Sequence, residues 1–115
     1  MERKITDLLN GRGENYILPF FWQHGEDDET LIREIDAIYN SSIRAVCVES
    51  RTHEPFCRDE WWHTMDVILD ACAKRGMKVW LLDDKHFPSG YANGIIPEKY
   101  PDQTMWGMTE RHMDV

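Results

Sequence analysis

Three short clusters in this 115-residue chain carry side chains that bind or transform small polar molecules: Trp22-Gln23-His24, Glu49-Ser50-Arg51-Thr52-His53 and Asp83-Asp84-Lys85-His86. Each follows an apolar run of strand length. The clearest is Val79-Trp80-Leu81-Leu82, with no polar residue interleaved before Asp83, which is the pattern of a strand buried on both faces of a parallel sheet. In parallel α/β sheets ligands sit beyond the carboxyl ends of the strands, so the three clusters would share one rim. Two adjacent carboxylates there cost desolvation unless water, a cation or a ligand meets them.

A rim of this composition suits sugars. An indole face stacks on the C–H side of a pyranose, while carboxylates and a guanidinium take paired hydrogen bonds from vicinal hydroxyls. Glycoside cleavage would also use carboxylates, as acid and as base or nucleophile, held roughly 5–10 Å apart. The expected substrate-binding set is Trp22, His24, Glu49, Arg51, His53, Asp83, Asp84 and His86, with no catalytic residue assigned. Plainer readings stand beside it: Trp22 as a packing residue, Glu49 and Arg51 as a local ion pair on one strand face, Asp83 and Asp84 as strand-ending solubility residues. His24, His53 and His86 with Asp84 or Glu49 also have the chemistry of transition-metal ligands, and a metal-dependent hydrolase is a third reading. No H-x-H or H-E-x-x-H spacing supports it, and no metal is assigned. No cofactor is expected, with a bound calcium ion as the one alternative.

The elements that must position these residues alternate. Ile5, Leu8 and Leu9 before Asn10-Gly11 read as a short helix in an approach segment, residues 1–15. Residues 16–94 read as β-α-β-α-β. The first strand, Tyr16 to Trp22, should be short or bulged because Pro19 lacks an N–H. Glu26-Asp27-Asp28-Glu29 opens a helix whose inner face carries Leu31, Ile32, Ile35, Ile38 and Tyr39. The strand Ile43 to Glu49 follows. A second helix begins near Asp59, with Trp61, Trp62, Met65, Ile68, Leu69, Cys72 and Ala73 on its apolar side, and Gly76 suits its C′ position. Strand starts about 30 residues apart and right-handed crossovers make the three strands parallel. Phe87-Pro88-Ser89-Gly90 ends the third strand as a turn. Residues 95–115 read as a loop or the start of a further helix, with Met105, Trp106, Met108 and Met113 available to pack on the sheet or on a second copy.

Composition bounds the partners. A net charge of −8 without a Lys/Arg cluster argues against nucleic acid and anionic membranes. No signal-peptide h-region or membrane-length segment is visible, and a cytoplasmic location is the default expectation. Three cysteines without a C-x-x-C pair indicate neither a disulfide framework nor a structural zinc site. Cys47 and Cys72 read as small hydrophobes, and Cys57 falls in a loop.

Pro19-Phe20-Phe21-Trp22, Glu60-Trp61-Trp62, Ala73-Lys74-Arg75-Gly76 and Val79-Trp80-Leu81-Leu82-Asp83-Asp84 followed by Pro88-Ser89-Gly90 form a recognisable series. Over residues 16–94 the chain resembles the large (β/α)-barrel glycoside hydrolases related to the α-L-rhamnosidases and the glycosyl hydrolase family 2-like sugar-binding proteins. It departs from them at Asp84, where the family usually has Glu, and at Asn93, where it often has Gly. The resemblance implies an α/β fold of three parallel βα units like the first part of a TIM-type (β/α)8 barrel. That barrel is incomplete, since eight units take ~250 residues. It also implies carbohydrate as the partner and O-glycosyl hydrolysis as the reaction of a complete barrel, with catalytic carboxylates on later strands. The runner-up is a non-catalytic sugar-binding or oligomerising module, associating through exposed sheet edges and the Met/Trp tail.

Overall fold

A computed structural model of the chain describes residues 2–10, 12, 17–51, 53–85, 92–104 and 107–113. The fold is α/β. After helix α1 (Glu2–Leu9) come β1 (Phe20–Gln23), α2 (Asp28–Asn40), β2 (Ala45–Ser50), α3 (Asp59–Lys74), β3 (Lys78–Leu81) and the short α4 (Ile95–Lys99), with single 3₁₀ turns at Ala92–Gly94 and Pro101–Gln103. The sheet order is β1-β2-β3, and both pairings are parallel. Pro19 precedes β1 and gives only its carbonyl, which accepts the Cys47 N–H at 2.8 Å. A proline at the lip of an edge strand costs no ladder bond, so β1 is short and carries no bulge.

The helix ends follow from their cap residues. Asp27 is extended, and its carboxylate accepts the Thr30 N–H at 2.8 Å, satisfying one of the open donors of α2. Both long helices close with the same pair of reversed bonds. At α3, Met77 N–H donates to the Cys72 carbonyl and Gly76 N–H to that of Ala73, with Gly76 left-handed at φ 63°. At α2, Ile43 and Ser42 donate to Ile38 and Tyr39, and it is Ser42 that takes φ 64°.

Helices α2 and α3 cover one face of the sheet. Phe21, Val46 and Val48 point into a core with Leu31 and Ile35 from α2 and Trp61, Met65, Ile68 and Cys72 from α3. Asp36 clasps Arg75 at 2.6 Å, fastening the end of α3 to α2. The opposite face is open among the described residues. Register places Phe20, Cys47 and Trp80 in one row across it, and Phe20 and Trp80 are 63% and 62% exposed.

That open face corrects the sequence reading of β3. A run of apolar residues without alternation implies burial on both sides, yet Trp80, on the open face, is mostly exposed because no described element lies over it, and Leu81, on the helix side in register with Val48, is still half exposed at this edge strand. The buried face of α3 is also narrower than expected. Trp61, Met65, Ile68 and Cys72 form its centre, and Trp62 and Leu69, one residue (about 100°) further round, are half exposed. Ile32 on α2 is likewise at the margin. Met108 and Met113 are exposed and pack on nothing described, while Met105, Trp106, His86 and the Phe87-Pro88-Ser89-Gly90 turn lie outside the described residues.

Candidate functional site

At the carboxyl ends of β1 and β2 the register sets Trp22 opposite Glu49. The indole Nε1–H donates to Glu49 Oε2 at 2.8 Å, and Arg51, two residues further along β2's course, brings a guanidinium nitrogen to 2.8 Å from Oε1. The Arg51 contact is at ion-pair distance without hydrogen-bond alignment. Its guanidinium carbon also lies 5.6 Å from the Trp22 ring centre, within reach of a cation–π attraction. Glu49 is only 1% exposed, so its charge is held by these two neighbours. Trp22 is 50% exposed, with the edge of its ring fixed. The Cys47 thiol, one step back on the same face, is pushed up by burial and by the Glu49 carboxylate.

On the far side of Trp22, at the edge of β1, lies an open groove of about 420 Å³ lined by Trp22, Phe21, His24, Glu26, Glu34 and Ala37. Glu26 organises its mouth: one oxygen accepts the His24 N–H at 2.9 Å, and the other lies 2.9 Å from His24 Nδ1. Partial burial opposes ionisation of Glu26, but the backbone amides of His24 and of Glu26 itself, with the His24 ring, outweigh it and hold its carboxyl below the usual range. The groove is large enough for a monosaccharide and offers a hydrophobic wall with convergent polar groups.

The other described candidates do not line this groove. His53 is 4% exposed and packs against Trp61 at 5.6 Å, which in turn meets Phe56 edge-on. Burial pushes the His53 imidazole down, with Glu26 and Glu60 pulling weakly the other way. Asp83 is exposed and Asp84 buried, and neither bonds to Trp22 or Glu49, whose partners are each other and Arg51. His86 lies outside the described residues. Among the described residues no three His, Cys, Asp or Glu side chains stand close enough to hold a metal ion, and no helix is long and apolar enough to cross a membrane.

Several residues near the strand ends have roles that the sequence does not announce. Lys85 is buried and reaches Glu54 Oε2 at 2.7 Å; Asn93 donates to the Glu54 carbonyl at 2.9 Å and accepts from Lys85 at 3.3 Å. This knot ties the segment after β3 to the β2–α3 loop. Its one sequence signal is Asn93 before Gly94, since Asn tolerates the left-handed φ of 55° found there. Glu26 was read only as a helix-opening acid. Compared with family models, curated proteins and solved structures, the chain matches none.

Proposed function

We propose that the chain is a carbohydrate-binding α/β unit of barrel type, with a monosaccharide subsite centred on Trp22. The observation that carries this reading is the state of that indole: pinned through Nε1 to a buried carboxylate, half exposed, and bordering a groove with His24, Glu26 and Glu34. A fixed aromatic ring loses little entropy when a sugar stacks on it, and the flanking carboxylates accept from its hydroxyls. Consecutive parallel strand order with both long helices on one face is the arrangement the first units of a barrel would need, and O-glycosyl hydrolysis is the reaction proposed for a complete barrel of this kind. In such a complete barrel, the acid and its partner carboxylate come from later strands, and Trp22 with His24, Glu26 and Glu34 holds the sugar while Glu49 and Arg51 fix the indole.

The test is a ¹⁵N–¹H titration of the chain with a monosaccharide panel that includes L-rhamnose, with and without calcium, repeated on Trp22→Ala. Saturable shifts near Trp22 and His24 that vanish in the variant support the subsite. The absence of any saturable response across the panel, or a response that survives Trp22→Ala, contradicts it. The exposure of Phe20 and Trp80 favours a second reading, a module that self-associates through its open sheet face. Mass measurement by light scattering decides it: a dimer that Trp80→Lys dissociates supports self-association, and a monomer at all concentrations rejects it.

A further inference from the structure

A second groove, of about 390 Å³, lies at the same end of the sheet but on the helix side, between the first turns of α2 and α3. Its chemistry differs from that beside Trp22. Glu26, Asp28, Asp59 and Glu60 line it together with His53 and His63, and among the described residues no Lys or Arg does. We propose that this groove binds a small organic cation carrying N–H donors, a guanidinium or primary ammonium group, between the carboxylates and the imidazole of His53.

Acids in the first turn of a helix are ordinarily explained by its dipole, so the carboxylates alone indicate nothing. His53 is the independent observation. It is more than nine-tenths buried against this groove, and neither ring nitrogen has a hydrogen-bond partner among the described residues. The His24 carbonyl is near enough to favour the charged ring weakly but not at hydrogen-bond geometry. Buried polar atoms are almost always satisfied, so a ring with both nitrogens unmet marks a place where a further group belongs. The cover over it is thin. Gly25, at φ 103°, lies beside the ring at the groove wall, and a Cβ there would sit 3.2 Å from Nδ1, so a glycine keeps this side of the ring uncrowded.

The sign of the ligand follows from charge. Two helix N-termini contribute roughly +0.5 each, against four carboxylates. The nearby cation Lys85 is engaged by Glu54. Burial disfavours the charged His53 ring, and the neutral ring has one nitrogen able to accept an N–H from the ligand. Asp28 and His63, 2.9 Å apart, bridge α2 to α3 and fix one wall. Planar guanidinium groups match carboxylates by paired N–H bonds, which makes them the favoured head group.

The experiment is a ¹⁵N–¹H titration with methylguanidinium chloride at constant ionic strength, with tetramethylammonium chloride as the cation lacking N–H donors. Saturable shifts confined to Gly25, His53, Glu60 and His63 are expected, at least five-fold weaker with tetramethylammonium and at least five-fold weaker in Glu60→Gln. Glu60 is exposed, so that variant keeps the core intact. Trp22→Ala should leave the response unchanged, which separates this site from the sugar subsite. A linear response, one matched by tetramethylammonium, or one that survives Glu60→Gln overturns the proposal.

Discussion

Glu49 is the residue on which the Trp22 cluster turns, because its buried carboxylate serves an indole N–H and a guanidinium at once. Glu49→Gln keeps an acceptor for Trp22 but leaves Arg51 facing a neutral amide. With Arg51 partly solvated, the expected loss is about 1–3 kcal/mol in urea unfolding, and an unchanged midpoint would show that the pair is not holding the strand ends. His53 gives a pH signature. Its folded pKa lies below the ordinary 6.5, so between those two values the unfolded chain binds more protons. Stability therefore falls as pH drops through and below about 6.5, and His53→Gln should flatten that slope; an identical slope in the variant would contradict a neutral buried ring. The gathering of Trp22, Glu49 and Arg51 at one rim was legible because each follows an apolar run ending a parallel strand, and alternation sets Glu49 and Arg51 on one face, but the register that pairs Trp22 with Glu49 was not. His53 was not, since it lies in a loop, where no periodicity dictates the direction of a side chain.

Helix and strand positions were legible where a cap or a turn residue marks them, as Asp27 and Gly76 do. The widths of buried faces were not. Spacing alone assigns Trp62 and Leu69 to the stripe of Trp61 and Met65, but the contact available from the sheet and α2 is narrower than the apolar arc. For β3 an apolar run says that cover is wanted, without saying whether the chain supplies it. The two helix ends allow a paired test. A Cβ at Gly76 meets nothing within 4 Å, so Gly76→Ala costs only the backbone conformation, about 1 kcal/mol. Ser42→Gly, at the equivalent left-handed position after α2, should stabilise by about 0.5–1 kcal/mol. Thermal unfolding of both variants checks the opposite signs, and equal signs would refute the shared cap geometry.

For the whole molecule, the essential asymmetry is a sheet packed on one face and open on the other. Trp61→Ala should cost about 3–5 kcal/mol, since the indole is wholly buried between α3 and the β2–α3 loop. Trp80→Ser should change stability by less than about 1 kcal/mol. A large loss in the second variant would mean that the aromatic row is covered in solution. The functional reading depends on the other end of the same sheet, where the fixed indole of Trp22 borders its groove. Its most direct test is the Trp22 indole N–H resonance, assigned by Trp22→Phe and followed as L-rhamnose and the other monosaccharides are added. A discrete N–H signal shielded from exchange by Glu49, moving saturably with at least one sugar while the other indole signals stay still, is the expected result. A Trp22 signal that exchanges freely with water, or that moves with no sugar, would contradict a Trp22-centred subsite.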